Sequence, residues 1–219
     1  MALAPDPYFS SISIVLFIAI NLREYVIPIF LIKTQPTHPN HTDDHFSYLI
    51  LDTVVVLSTA LAFIFRYMNW GTTSGALQYF GLVLLPAAQV LRERAVLTLG
   101  RSFSRTVQIK AGQRLITEGP YRWFRHPAYT SMVIIYTAFA LSLGTWLGAV
   151  VVLGLMLVAI MYHIDIEEEL LIATFGIDYQ DYIEHTWKLF PGWQLSSSYQ
   201  NATQHTAPGD WAKAQRENG

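Results

Sequence analysis

The run AYTSMVIIYTAFALSLGTWLGAVVVLGLMLVAIMYHI, Ala128 to Ile164, decides the fold, because it contains no Asp, Glu, Lys or Arg. A membrane-spanning helix needs about 20 mostly apolar residues, at about 1.5 Å each, to cross about 30 Å of hydrocarbon. At 37 residues the run is too long for one crossing. Gly144-Thr145 near its middle is a turn signal. The run therefore predicts a hairpin of two helices, Tyr129–Leu143 and Trp146–Glu169, the second continuing past the membrane surface.

Both flanks of the hairpin are charged. Before it stands TEGPYRWFRHPAY, Thr117 to Tyr129. Gly119-Pro120 is a turn signal, and Pro127 suits the first turn of a helix, where its missing N–H costs nothing. On such a helix Arg125 and Tyr129, four apart, share a face. Behind the hairpin stands HIDIEEELLIATFGIDYQDY, His163 to Tyr182. His163 and Glu167 are four apart, Phe175-Gly176 reads as a helix stop, and Asp178, Tyr179 and Tyr182 open another short helix. Acids at the end of a helix oppose its dipole, so Glu167 to Glu169 imply a longer helix or a cationic partner.

Each cluster has an ordinary explanation: an interfacial Arg/Trp/Tyr anchor for the first, a solvated helical face for the second. The hairpin changes that reading, because it returns the chain to the side it left. Arg125, His126 and Tyr129 then stand beside His163, Glu167 and Glu168 at one depth. Ionisable groups at the lipid boundary are costly unless paired or used, so together they form the candidate site.

Composition agrees with a membrane protein. Apolar residues make up 52% of the 219 and charged residues 14%, against about 25% charged in soluble domains; mean hydropathy is +0.30. A net charge of −2 argues against nucleic-acid binding. The absence of cysteine excludes disulfides, thiolate metal sites and a Cys nucleophile. MALAPDPYFSS lacks a basic n-region, so the first apolar run is expected to stay as a membrane segment. Further spans are expected at Phe9–Ile32, Phe46–Phe65 and Gly75–Leu91, with Arg92 to Arg125 as a polar stretch. The expected fold is all-α, an integral membrane bundle of about five transmembrane helices. Eight of the 14 basic residues lie between Arg92 and Arg125, which makes that side cytosolic, with the N-terminus outside and the C-terminus inside. On that count Lys33 and Lys188 share the cytosolic side, Arg23 and Arg66 fall elsewhere, and the sequon at Asn40 stays unglycosylated. Asp52, Arg23, Glu24 and Arg66 read as structural intramembrane pairs. Histidines 38, 41 and 45 match no familiar metal-ligand spacing. No dinucleotide fingerprint, P-loop or Ser-His-Asp set stands out.

The order LITEGPYRWFRHPAY, apolar hairpin, EEELLIATFGIDYQDY, then a Pro, resembles the isoprenylcysteine carboxyl methyltransferase family and the related phospholipid N-methyltransferases. The resemblance covers about Leu99 to Gly192. It implies a membrane-embedded, S-adenosylmethionine-dependent methyltransferase with a cytosol-facing cofactor pocket and a lipid-like or prenylated acceptor drawn from the bilayer. By that resemblance Gly119, Pro120, Tyr121, His126 and Tyr129 bind the cofactor. Arg125 and Glu168 stand nearest the reaction, with Glu167 and His163 beside them. His163 stands where the family often has Arg, replacing a permanent cation with a switchable group. The chain is expected to divide into N-terminal helices (1–98), a methyltransferase core (99–195) and a tail (196–219) whose Ser, Gln, Asn and Thr content predicts flexibility, and the resemblance makes the endoplasmic reticulum the default location. Alternatives are methylation of a phospholipid amine or terpenoid-like molecule, a non-catalytic membrane protein retaining the pocket, and a nicotinamide-dependent membrane reductase. The sequence leaves the oligomeric state open.

Overall fold

A computed structural model describes residues 6–31, 45–73, 75–102 and 114–193. All regular structure among them is helical: α1 (Pro7–Leu31), α2 (His45–Tyr67), α3 (Gly75–Leu99), α4 (Pro127–Ser142), α5 (Trp146–Phe175) and α6 (Ile177–His185), with 3-10 turns at Gly100–Ser102 and Gly119–Arg122. The expected loop histidines at 38 and 41, the Asn40 sequon and the 196–219 tail lie outside the described residues.

The hairpin forms where the uncharged run predicts it. Gly144 has a positive φ of 91°, open to glycine, and turns the chain. Thr145 caps α5, its hydroxyl accepting from the Gly148 N–H at 3.0 Å. The turn is pinned to the α2–α3 connection: Trp146 N–H donates to Gly71 O (2.8 Å) and Thr73 N–H to Gly144 O (3.0 Å). The Thr145 hydroxyl also donates to Trp70 O (2.8 Å). Gly71 is required there, since a Cβ would lie 2.4 Å from Leu147 Cβ and its φ is +63°.

α4 is the central helix. It packs along α3, with α5, α2 and α1 also against it. Small residues allow the close approach to α3: a Cβ on Gly81 would sit 2.7 Å from Ser142 N and 2.8 Å from Ala138 O. Phe17 of α1 stacks on Phe139 of α4 at 3.8 Å between centroids, and the Tyr136 hydroxyl donates to Asn21 Oδ1 at 3.1 Å. The outer faces stay apolar. Ile12, Val15 and Ile18 of α1, Leu49, Val56 and Phe63 of α2, and Phe80, Val83 and Val90 of α3 are exposed, a belt suited to lipid. α2 over Leu49–Tyr67 and α5 are long and apolar enough to cross a membrane, whereas α1 is apolar over Pro7–Arg23 and α4 over Pro127–Ser142.

α5 changes character along its length. Its outward stripe at fourfold spacing runs Trp146, Val150, Val158, Tyr162, then turns acidic at Asp165 and Glu169. From Trp146 to Asp165 is about 28 Å of helix, close to the hydrocarbon thickness. The helix then runs on to Phe175 and stops at Gly176 (φ +55°), so the glutamates lie within a longer helix rather than at its end.

Three expectations are revised. α3 does not end at Leu91 but continues to Leu99, through Arg92, Glu93 and Arg94. Arg92 is held there because its Nη1 donates to Ala128 O at 3.0 Å. Arg125 lies before α4, not on it, so it shares no helical face with Tyr129. Its N–H instead donates to Trp187 O at 2.8 Å. Among the proposed intramembrane pairs, Arg23 pairs with Glu93 of α3, which places it at the same end as Arg92. Arg66 donates to Asn69 Oδ1 at 3.1 Å, and Asp52 faces outward.

Candidate active site

The two charged flanks meet. Arg125 Nε lies 2.9 Å from Glu168 Oε1, with both side chains about 1% exposed. The contact is ionic, without hydrogen-bond alignment. Arg125 Nη1 donates to the carbonyls of Ile183 (3.0 Å) and Thr186 (3.3 Å), at the end of α6. Among the described residues Arg125 Nη2 has no hydrogen-bond partner. His126 Nε2 lies 3.1 Å from the same Glu168 Oε1, and its Nδ1 lies 3.9 Å from Glu167 Oε2. Glu167 Oε2 is buried and, among the described residues, has no hydrogen-bond partner, His126 being its nearest ionic neighbour. A buried ion in such surroundings is stable only when paired, and one oxygen of Glu168 meets both Arg125 and His126.

The other oxygen of Glu168 holds a residue that sequence reasoning assigned only to the cytosolic side. Lys188 Nζ lies 3.2 Å from Glu168 Oε2 and 2.5 Å from Asp165 Oδ1. Lys188 stands 20 positions beyond Glu168, in an irregular segment with no periodicity to mark it. That segment, 186–193, straps across the start of α4. Trp187 N–H donates to Trp123 O (3.0 Å), His126 N–H to Lys188 O (3.3 Å), and the Thr130 hydroxyl to Leu189 O (2.8 Å).

Around this centre stand the aromatic residues. Tyr129 lies between His126 and His163, with ring centroids at 5.8 Å and 5.4 Å. His163 is buried one turn deeper, its Nδ1 2.9 Å from Ser47 Oγ at the start of α2. It thus joins the centre through Tyr129 rather than by contact with Arg125 or Glu168. Tyr121 is buried and its carbonyl accepts from the Tyr182 hydroxyl at 2.6 Å. Burial raises both phenols above their ordinary value, and the Glu167 carboxylate adds to this at Tyr121. Both stay neutral, so Tyr182 remains a donor. Gly119 takes a positive φ of 59° and approaches Thr98 of α3 so closely that a Cβ would sit 2.9 Å from its hydroxyl. With Pro120 it sets the 3-10 turn that brings Tyr121 inward. Arg125, His126, Glu167 and Glu168 are thus drawn into one cluster. Tyr129 and His163 extend it toward α2, and Gly119, Pro120 and Tyr121 form a neighbouring turn.

The arrangement offers a buried donor at Arg125 Nη2 and a buried acceptor at Glu167 Oε2, at the depth where α5 passes from apolar to acidic. Comparison with known proteins points the same way. Residues 81–173 match the isoprenylcysteine carboxyl methyltransferase (ICMT) family. Protein-S-isoprenylcysteine O-methyltransferase A of Arabidopsis thaliana is 31% identical over 107 residues, 48% of this chain and 54% of that one. The Tribolium castaneum protein-S-isoprenylcysteine O-methyltransferase is 34% identical over 114 residues, 48% of this chain and 38% of that one. This chain spans about half the length of the plant relatives it matches. The structure of a eukaryotic intramembrane Ras methyltransferase ICMT aligns with a TM-score of 0.54 at 24% identity, over 82% of this chain and 61% of that one. Residues 81–173 therefore carry the sequence pattern of the isoprenylcysteine carboxyl methyltransferase family, on a helical fold shared with an intramembrane enzyme of that name.

Proposed function

We propose that this chain is a membrane-embedded, S-adenosylmethionine-dependent methyltransferase that methylates the carboxyl group of a prenylcysteine-like lipidic acceptor. The observation that carries the proposal is the buried, unpartnered Nη2 of Arg125, held in place by Glu168 at the lipid–water boundary. Residues 99–195 carry the chemistry, and the helices of 1–98 support them in the bilayer. Five helices, α1 to α5, cross the membrane in alternating directions. The basic end faces the cytosol, with the endoplasmic reticulum as the location.

The residues fit the donor. Glu167 Oε2 is a buried acceptor suited to an ammonium or hydroxyl, with His126 beside it, and we assign Gly119, Pro120, Tyr121 and Tyr129 to the same cofactor site. S-adenosylmethionine, when bound, would supply an electrophilic methyl group to the acceptor's carboxylate oxygen, with the neutral thioether as leaving group and a methyl ester as product. The carboxylate is already anionic at neutral pH, so no residue has to remove a proton. Arg125 binds it through Nη2, and Glu168 fixes the guanidinium so that no reorientation is needed during the reaction. The strap over α4 and the buried tyrosines exclude water and hold the partners in line. His163, deeper and beside α2, faces the acceptor's apolar part and sets which acceptors fit.

The test is methyl transfer from labelled S-adenosylmethionine by the purified protein, offered a prenylcysteine analogue, a phosphatidylethanolamine and a terpenoid acid in parallel. Labelling of the prenylcysteine analogue above the others supports the reading. Labelling of the amine instead makes the protein a lipid N-methyltransferase, and absence of S-adenosylmethionine binding removes the enzyme altogether.

A further inference from the structure

The Lys188 side chain is about 3% exposed, and polar groups so buried need partners. It has two, Asp165 and Glu168, and they differ. The Asp165 side chain is 55% exposed and opens outward, whereas Glu168 is about 1% exposed and reaches inward. Glu168 is divided between its oxygens: Oε2 meets Lys188, and Oε1 meets both Arg125 and His126. The terminal torsion of a glutamate is broad, and a carboxylate plane turned part-way about it loses one pairing or the other. The Lys188 backbone is itself fixed, its N–H donating to Trp193 O at 3.0 Å and its carbonyl accepting from His126 N–H.

We propose that Lys188 is a positioning residue of the site: by holding one oxygen of Glu168 it fixes the plane of the carboxylate, so that the other oxygen stays directed at Arg125 and His126 and the Arg125 guanidinium is held for the acceptor. The role rests on the methyltransferase reading. It assigns function to the strap beyond residue 173, outside the segment that matches the family.

The experiment compares wild type, Lys188→Met, Lys188→Gln and Lys188→Arg in lipid nanodiscs, with S-adenosylmethionine and the prenylcysteine analogue. Rates are divided by the concentration of S-adenosylmethionine-binding sites found by titration, so that misfolded protein does not count. A residue that only holds the fold lowers the number of sites and leaves kcat per site unchanged. Positioning lowers kcat per site by at least about tenfold in Lys188→Met and Lys188→Gln, with the KM for S-adenosylmethionine within about threefold of wild type. Lys188→Arg restores kcat to within about threefold. Wild-type kcat per site in the neutral variants overturns the inference, as does failure of both to yield any binding sites, which makes Lys188 a fold-holding residue. A wild-type protein that binds S-adenosylmethionine but methylates no acceptor, or that fails to bind it, overturns the functional reading, and the role of Lys188 with it.

Discussion

The two ends of the bundle are built from different interactions. At the end formed by the hairpin turn, Gly71, Gly144, Thr145, Trp70 and Gln78 are joined by neutral hydrogen bonds. Gln78 accepts from the Asp6 N–H at 2.9 Å and donates to Asp6 O and Ser10 Oγ at 3.0 and 3.1 Å. At the other end Arg125, His126, Glu167, Glu168 and Lys188 are joined by ions, with a donor and an acceptor left over. Neutral bonds fix a fold at little risk, and at the hairpin-turn end the one buried side-chain atom left without a hydrogen-bond partner among the described residues is the neutral Thr73 hydroxyl. Buried ions are costly to desolvate, so the end that retains them is the candidate for ligand binding. One end closes the hairpin, and the other uses it.

That contrast can be broken in order of expected effect. Glu168→Ala leaves Arg125 and Lys188 buried without their shared carboxylate, a loss of about 3–5 kcal/mol for a broken buried pair. It should abolish transfer and lower the melting temperature together. If thermal unfolding were unchanged, the carboxylate would not be paired as described. Gly81→Ala should cost about 1–3 kcal/mol by overpacking, because its Cβ meets backbone atoms of α4 that cannot move aside. Its remaining folded fraction should turn over normally; a large change in KM would mean that the α3–α4 contact reaches the site. Arg125→Ala should lower turnover at least about tenfold, or about 1.4 kcal/mol of barrier, with S-adenosylmethionine binding retained by calorimetry. Thr145→Ala removes the α5 cap and should cost about 1 kcal/mol of stability with no kinetic effect.

Much of this was legible in the sequence, and the legible part was local. The uncharged length of 128–164 and its Gly-Thr centre dictate the hairpin, and the hairpin brings Arg125 and His126 to Glu168. Gly176 announces the end of α5 by the ordinary logic of a helix stop. What the sequence hid depends on contacts between distant segments. Arg92, Glu93 and Arg94 read as loop because they are charged. They are helical because Arg92 caps the Ala128 carbonyl and Glu93 meets Arg23 of α1. Lys188 was invisible as a site residue because its partners stand 20 and 23 positions away across α6. His163 reads as a neighbour of Glu167 by spacing, yet packing turns it toward Ser47 of α2.

The most direct measurement is kcat per S-adenosylmethionine site with the prenylcysteine analogue, compared between Arg125→Ala and Thr145→Ala. A functional ionic end and a structural neutral end predict a loss of at least about tenfold in the first, or about 1.4 kcal/mol of barrier, and wild-type turnover in the second. Equal rates in the two variants would contradict the assignment of methyl transfer to the mouth of the hairpin.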